Sequence, residues 1–135
     1  MFPDLNFAFV RLQSEKLYFN ELERLNADYK NDPNYSNIHY LLIEIDKRCK
    51  ATFGIKELLK LAQIYNYEPQ QNNHRRVVWL VSQPIITALT HMFIGNIQDN
   101  SKYCSTIEKA YKLLELNINY TDFLKLLVGK LHYNY

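Results

Sequence analysis

Val77-Val78-Trp79-Leu80-Val81, set between Arg75-Arg76 and Ser82-Gln83-Pro84, restricts the fold of this chain more than any other stretch. A run of β-branched and bulky apolar residues, bounded by charge on one side and by a helix-starting proline on the other, predicts a strand buried on both faces. Such a strand requires helices above and below it, because it leaves the sheet with two apolar surfaces to cover. At 135 residues the chain is long enough for one domain, which at this size buries roughly 68% of the surface of the unfolded chain.

The flanking segments supply the cover. Phe7, Phe9 and Leu12, interleaved with Ala8, Val10 and Arg11, predict a first strand ending near Gln13. Phe19, Leu22, Leu25 and Tyr29 then recur at helical spacing, with Asn20 and Glu23 as a capping box, until Pro33 and its Asn, Asp and Ser neighbours stop the helix. His39 to Asp46 is a second strand. Thr52 is placed to cap a helix whose stripe is Ile55, Leu58, Leu59, Ala62 and Tyr65, and a polar loop over 66–73 leads into the Trp79 strand.

Pro84 occupies a first-turn position behind a cap at Ser82 or Gln83, and Ile85, Ala88, Leu89, Met92 and Phe93 predict the apolar face of the third helix, weakened at Gly95-Asn96. Lys102-Tyr103-Cys104 reads as a short edge strand. Ser105 and Glu108 form a capping box for a fourth helix carrying Ile107, Ala110, Tyr111, Leu113 and Leu114. Phe123, Leu124, Leu127, Val128 and Leu131 predict a fifth helix that ends at Gly129 or frays through His132 to Tyr135.

Alternating strands and helices define an α/β fold: a single four- to five-stranded, mostly parallel sheet flanked by about four helices, with an extra C-terminal helix. The whole of 1–135 is one domain with its core over about 6–116 and the last helix over about 120–131; the first and fourth strands belong at or near the edges.

Composition narrows the partners. A formal charge of +2 is too small to indicate nucleic acid, and Lys47-Arg48-Lys50 and His74-Arg75-Arg76 fall at opposite ends of parallel strands instead of forming one patch. No apolar run approaches the roughly 20 residues of a membrane span, so no membrane insertion is expected. Two distant cysteines and the lack of a secretory leader pattern point to a cytoplasmic protein with reduced thiols. Eleven tyrosines rim a small core or form a binding face.

The candidate site lies where the second and third strands end. There Asp46, Arg48 and Thr52 stand beside Ser82 and Gln83, under two helix N-termini that favour anions. Cys49 has basic neighbours but no histidine placed to act as its base, and Ser82 lacks the flanking glycines of a nucleophile elbow. His39, His74, His91 and His132 lack the short spacings of a zinc site. No catalytic role, metal or cofactor is expected.

The strand "VVWLVSQP", the helix after it and "YCSTIEKAYKLLEL" resemble the C-terminal half of the small STAS-like (SpoIIAA-like) domains, and "DPNYSNIHYLLIEID" resembles their middle strand. The resemblance covers about residues 6–116. It implies a fold shared with anti-sigma-factor antagonists and, more distantly, with CRAL-TRIO lipid-binding domains. In the antagonists a phosphorylatable serine opens the helix after the middle strand. This chain has Asp46-Lys47-Arg48-Cys49-Lys50-Ala51-Thr52-Phe53-Gly54 there, with Thr52 as the one hydroxyl.

These features give the expectation of a non-enzymatic regulatory or protein-interaction module. The alternative is a small-ligand or lipid-binding domain with an apolar cavity beneath the third helix, where Ile86, Leu89, Met92 and Phe93 gather. A homodimer through Tyr-rich helix faces is a third arrangement.

Overall fold

The computed structural model describes residues 5–13, 15–33, 37–67, 75–97, 100–128 and 133–134. In chain order the elements are β1 (Phe7–Leu12), β2 (Lys16–Leu17), α1 (Phe19–Asn31), β3 (Tyr40–Ile45), β4 (Lys50–Ala51), α2 (Ile55–Tyr67), β5 (Arg76–Leu80), α3 (Pro84–Gly95), β6 (Asn100–Cys104), α4 (Ile107–Leu114), α5 (Tyr120–Val128) and β7 (Tyr133–Asn134). Five strands form one sheet in the order β6-β5-β3-β1-β7, and every pairing is parallel. β2 and β4 form a separate two-stranded parallel pair beside it.

From β1 to β6 each new strand is added on the same side of the last, with α1, α2 and α3 in the connections. Crossovers of one hand that progress in one direction place their helices on one face of the sheet. Leu22 and Leu25 of α1, Leu58 and Ala62 of α2, and Ile86 and Phe93 of α3 accordingly share one core with Ala8, Val10, Leu41, Ile43, Val77 and Val81. The connection from β6 to β7 runs back the other way and carries α4 and α5 across the opposite face. Ala110, Leu114, Phe123 and Leu127 there share a second core with Phe7, Phe9, Leu42, Val78 and Leu80. Successive residues of each central strand thus enter different cores, as the period of two in a strand requires.

The Trp79 strand is interior, between β3 and β6, with helices on both faces. β6 is an edge strand and is two residues longer than its apolar portion suggested. β1 stands one strand in from the other edge. Tyr133-Asn134, placed by the sequence in a frayed tail, pair with Val10 and Arg11 instead, satisfying part of an otherwise open row of backbone groups. Gly129, Leu131 and the 68–73 part of the polar loop lie outside the described residues.

Several local expectations are corrected. α1 begins at Phe19, so Asn20 lies within the first turn and does not cap it. α2 begins at Ile55, two residues beyond the position that Thr52 would cap; the Glu57 carboxylate accepts from the Gly54 amide at 3.0 Å instead. On the same helix Leu59 is exposed and Leu61 packs against the core, while the Tyr65 side chain is outside the described set. The cap of α4 is Thr106, which accepts from the Lys109 amide, and not Ser105.

The largest correction concerns α3. Ile85 and Met92 are 63% and 48% exposed and Ala88 is exposed too, whereas Ile86, Thr90 and Phe93 are buried. The helix is apolar nearly all round, so periodicity offers two faces, and the buried one bears Ile86, Thr90 and Phe93. The Thr90 hydroxyl donates to the Ile86 carbonyl at 2.8 Å, which lets a polar residue face the core without an orphaned group.

Phe123 is fully buried, with its ring 6.2 Å from that of Phe7 and 5.3 Å from that of Tyr111. Phe123→Ala should lower unfolding free energy by about 3–5 kcal/mol in urea denaturation, against less than about 0.5 kcal/mol for Met92→Ala on the exposed side of α3.

Candidate functional site

At the carboxyl ends of β3 and β5, three of the five residues singled out by sequence, Asp46, Arg48 and Gln83, serve local geometry. Asp46 opens a turn: its carbonyl accepts from the Cys49 amide at 2.9 Å, and its carboxylate accepts from the Arg48 amide at 2.8 Å. The Arg48 guanidinium closes on both oxygens of the same carboxylate, at 3.0 and 3.2 Å. These hydrogen bonds, the guanidinium first, hold the Asp46 carboxyl below its ordinary range. Gln83 caps α3, its side-chain oxygen accepting from the Ile86 amide at 2.7 Å, with Pro84 in the first turn behind it. Ser82 and Thr52 are both exposed.

The chain's own groups therefore stand at the two helix starts that an anion would use. Glu57 reaches back to the start of α2, and its own and the Gly54 amide keep its carboxyl below the usual value. Nor does the strand order reverse between β3 and β5, the arrangement that opens a crevice in many α/β sheets.

Cys49 is buried and donates to the Leu12 carbonyl at 3.3 Å; burial pushes its thiol up, as it does that of Cys104. Neither is poised as a nucleophile. His91 pairs with the Tyr103 hydroxyl at 3.0 Å on the surface between α3 and β6, and His39 is exposed. His74 and His132 lie outside the described residues. Among the described residues no three metal-ligating side chains gather, and no helix is long and apolar enough to cross a membrane.

A concave feature lies between the sheet and α1–α3, partly open to the surface. A cavity of about 110 Å³ has Val10, Ile43, Val77 and Trp79 in its floor and Leu25, Leu58, Ile86, Leu89 and Phe93 in its roof. Its position follows from register. Ser101, Val77, Leu41 and Ala8 form one row across the four strands; Tyr103, Trp79, Ile43 and Val10 form the next on the same face. The indole packs edge-on against Phe93, with ring centroids 5.9 Å apart.

Two of the lining residues carry a polar atom that is buried and, among the described residues, without a partner. Trp79 Nε1 and Ser101 Oγ are sealed from solvent and have no hydrogen-bond partner among the described residues, and both residues border the cavity. The Thr90 hydroxyl, also at the wall, is satisfied within its helix. Of the residues that sequence gathered beneath the third helix, Ile86, Leu89 and Phe93 line this space, whereas Met92 is exposed. Ser101 gave no signal, because a serine between Asn100 and Lys102 reads as the polar side of an edge strand.

The chain matches no family model, no curated protein and no solved structure. Fold and pocket together make it a parallel α/β domain with three helices abreast over an apolar space.

The Asp46–Arg48 pair yields a pH test. A carboxyl with a depressed folded-state pKa stabilises the fold above its unfolded value near 3.8, and loses that contribution as pH falls through the depressed one. Asp46→Asn should thus cost less than about 1 kcal/mol at pH 7, and the two proteins should converge in stability in acid, as followed by denaturation at stepped pH.

Proposed function

We propose that this protein is a non-enzymatic binding domain for a small, largely apolar ligand held between the sheet and α1–α3. The observation that carries this reading is the apolar pocket of about 110 Å³ between the sheet and α1–α3. Native cores hold few voids larger than a water molecule. An apolar space of this order, about 150 Å³ in an engineered protein, stays dry and accepts benzene.

Titration with benzene tests the reading. Binding raises the thermal midpoint with ligand concentration, and amide shifts concentrate at Ile43, Val77, Leu89 and Phe93. A midpoint unchanged at saturating benzene rules the cavity out as a site.

A second reading, the STAS-like protein-interaction module implied by the sequence resemblance, draws support from the outer side of α3. Ile85 and Met92, 63% and 48% exposed, lie with Ala88 along one apolar stripe. If a second copy of the chain covers that stripe, sedimentation velocity shows mass rising with concentration, and Ile85→Asp returns the protein to the monomer. A monomer at all concentrations removes the homodimer.

A further inference from the structure

We infer that the occupant of this pocket is an unbranched hydrocarbon chain of about six carbon atoms, and that a branched group of the same volume fits it less well. The inference rests on the binding role proposed above and adds the shape of the ligand.

Shape is read from which residues of the floor border the space. Ser101, Val77 and Leu41 are in register across β6, β5 and β3, and Ile45 lies four residues beyond Leu41 on the same face. All four line the pocket. With strands about 4.8 Å apart and a rise of about 3.3 Å per residue, Ser101 and Ile45 mark the ends of a diagonal of roughly 16 Å. Ala8 and Tyr103, on the same face but at the corners off this diagonal, do not border the pocket. The space is therefore an oblique slot and not a round hollow.

Volume points the same way. Gathered into a sphere, about 110 Å³ would be only roughly 6 Å across. Side chains stand nearly upright on a sheet, so Ser101 and Ile45 do not lean toward each other, and roughly 10 Å remains between them once their own widths are taken off. A six-carbon zigzag with bonds of about 1.5 Å, its end methyls included, covers about that length. Since about 150 Å³ holds the six carbons of benzene, the volume also corresponds to about six carbons. Length and volume agree for an extended chain. The roof over it is hydrocarbon from all three helices, Leu25 of α1, Leu58 of α2 and Phe93 of α3 among it, and because the pocket is partly open a longer chain leaves its remaining carbons in water.

Isomers of one composition separate shape from hydrophobicity. n-Hexane and 2,2-dimethylbutane contain the same atoms, and dosing each from vapour at a fixed fraction of saturation gives both the same activity relative to the pure liquid, so the transfer from water cancels. Affinity is read from the thermal midpoint of the full chain and from amide shifts. n-Hexane is expected to bind about tenfold more tightly on this scale, since the wider isomer must push the walls apart, and to move the amides of both Ser101 and Ile45. From butane to octane, affinity on the same scale peaks near six carbons and falls about fourfold for each further carbon left in water. Ser101→Leu, which fills one end of the slot, moves the peak to about four carbons. The isomer comparison needs no substitution and stands even if Ser101→Leu does not fold. 2,2-Dimethylbutane binding as tightly as n-hexane, or a peak unmoved in a folded Ser101→Leu protein, overturns the inference and leaves the binding role in place. If neither isomer nor benzene binds, the binding role itself falls.

Discussion

The direction in which the strands are added governs the rest of this molecule. β1, β3, β5 and β6 follow one another across the sheet without a reversal, so the three connecting helices have no choice of face and lie side by side over the same surface. The opposite surface, with Phe7, Phe9, Leu42 and Val78 pointing into it, is left bare until α4 and α5 arrive. Their packing is a requirement of the topology. Arg76 ties the two halves at that point, donating to the Leu114 carbonyl at the end of α4 at 3.1 Å and pairing with Glu115 at 3.0 Å.

The cavity belongs to the same constraint. Three rods laid abreast over a twisted sheet touch its surface best along their own axes and less well between them. Here the gap is bordered by two large rings, Trp79 from below and Phe93 from above, that meet edge to face and do not fill it. The other core has no such array. Phe7, Tyr111, Tyr120 and Phe123 interlock there at centroid distances between 5.2 and 6.2 Å. One side of the sheet is packed with tilted and edge-to-face aromatics, and the other retains space.

Much of this architecture was legible in the residues because burial leaves a strong periodic trace. The apolar run around Trp79 and the alternation in Phe7 to Leu12 fix strands and their faces with little ambiguity. What the residues hid has physical causes. In Pro84–Gly95 hydrophobicity runs round the whole helix, so the pattern of residues does not mark which face is buried, and Thr90 on the buried face has its hydroxyl satisfied within the helix. The start of α4 offered two adjacent hydroxyls, Ser105 and Thr106, and only backbone geometry selects Thr106. β2 and β4, two residues each, fall below the length at which alternation can be recognised. The Asp46, Arg48, Thr52, Ser82 and Gln83 group was found by topology, and of its members Asp46 and Arg48 serve a turn and Gln83 a cap. Ser101 acquires meaning only through its register with Val77.

No two neighbouring strands of the main sheet are joined by a hairpin; each ladder is formed across at least one intervening helix, and that between β1 and β7 joins segments more than a hundred residues apart. Chain closure must be completed before any of these pairings returns free energy, so the search for the native arrangement is dominated by long loops and not by local zippering. This chain should accordingly assemble on the slower timescale of non-local α/β topologies, with the β1–β3–β5 trio as the smallest set of strands in which the interior of the sheet exists at all.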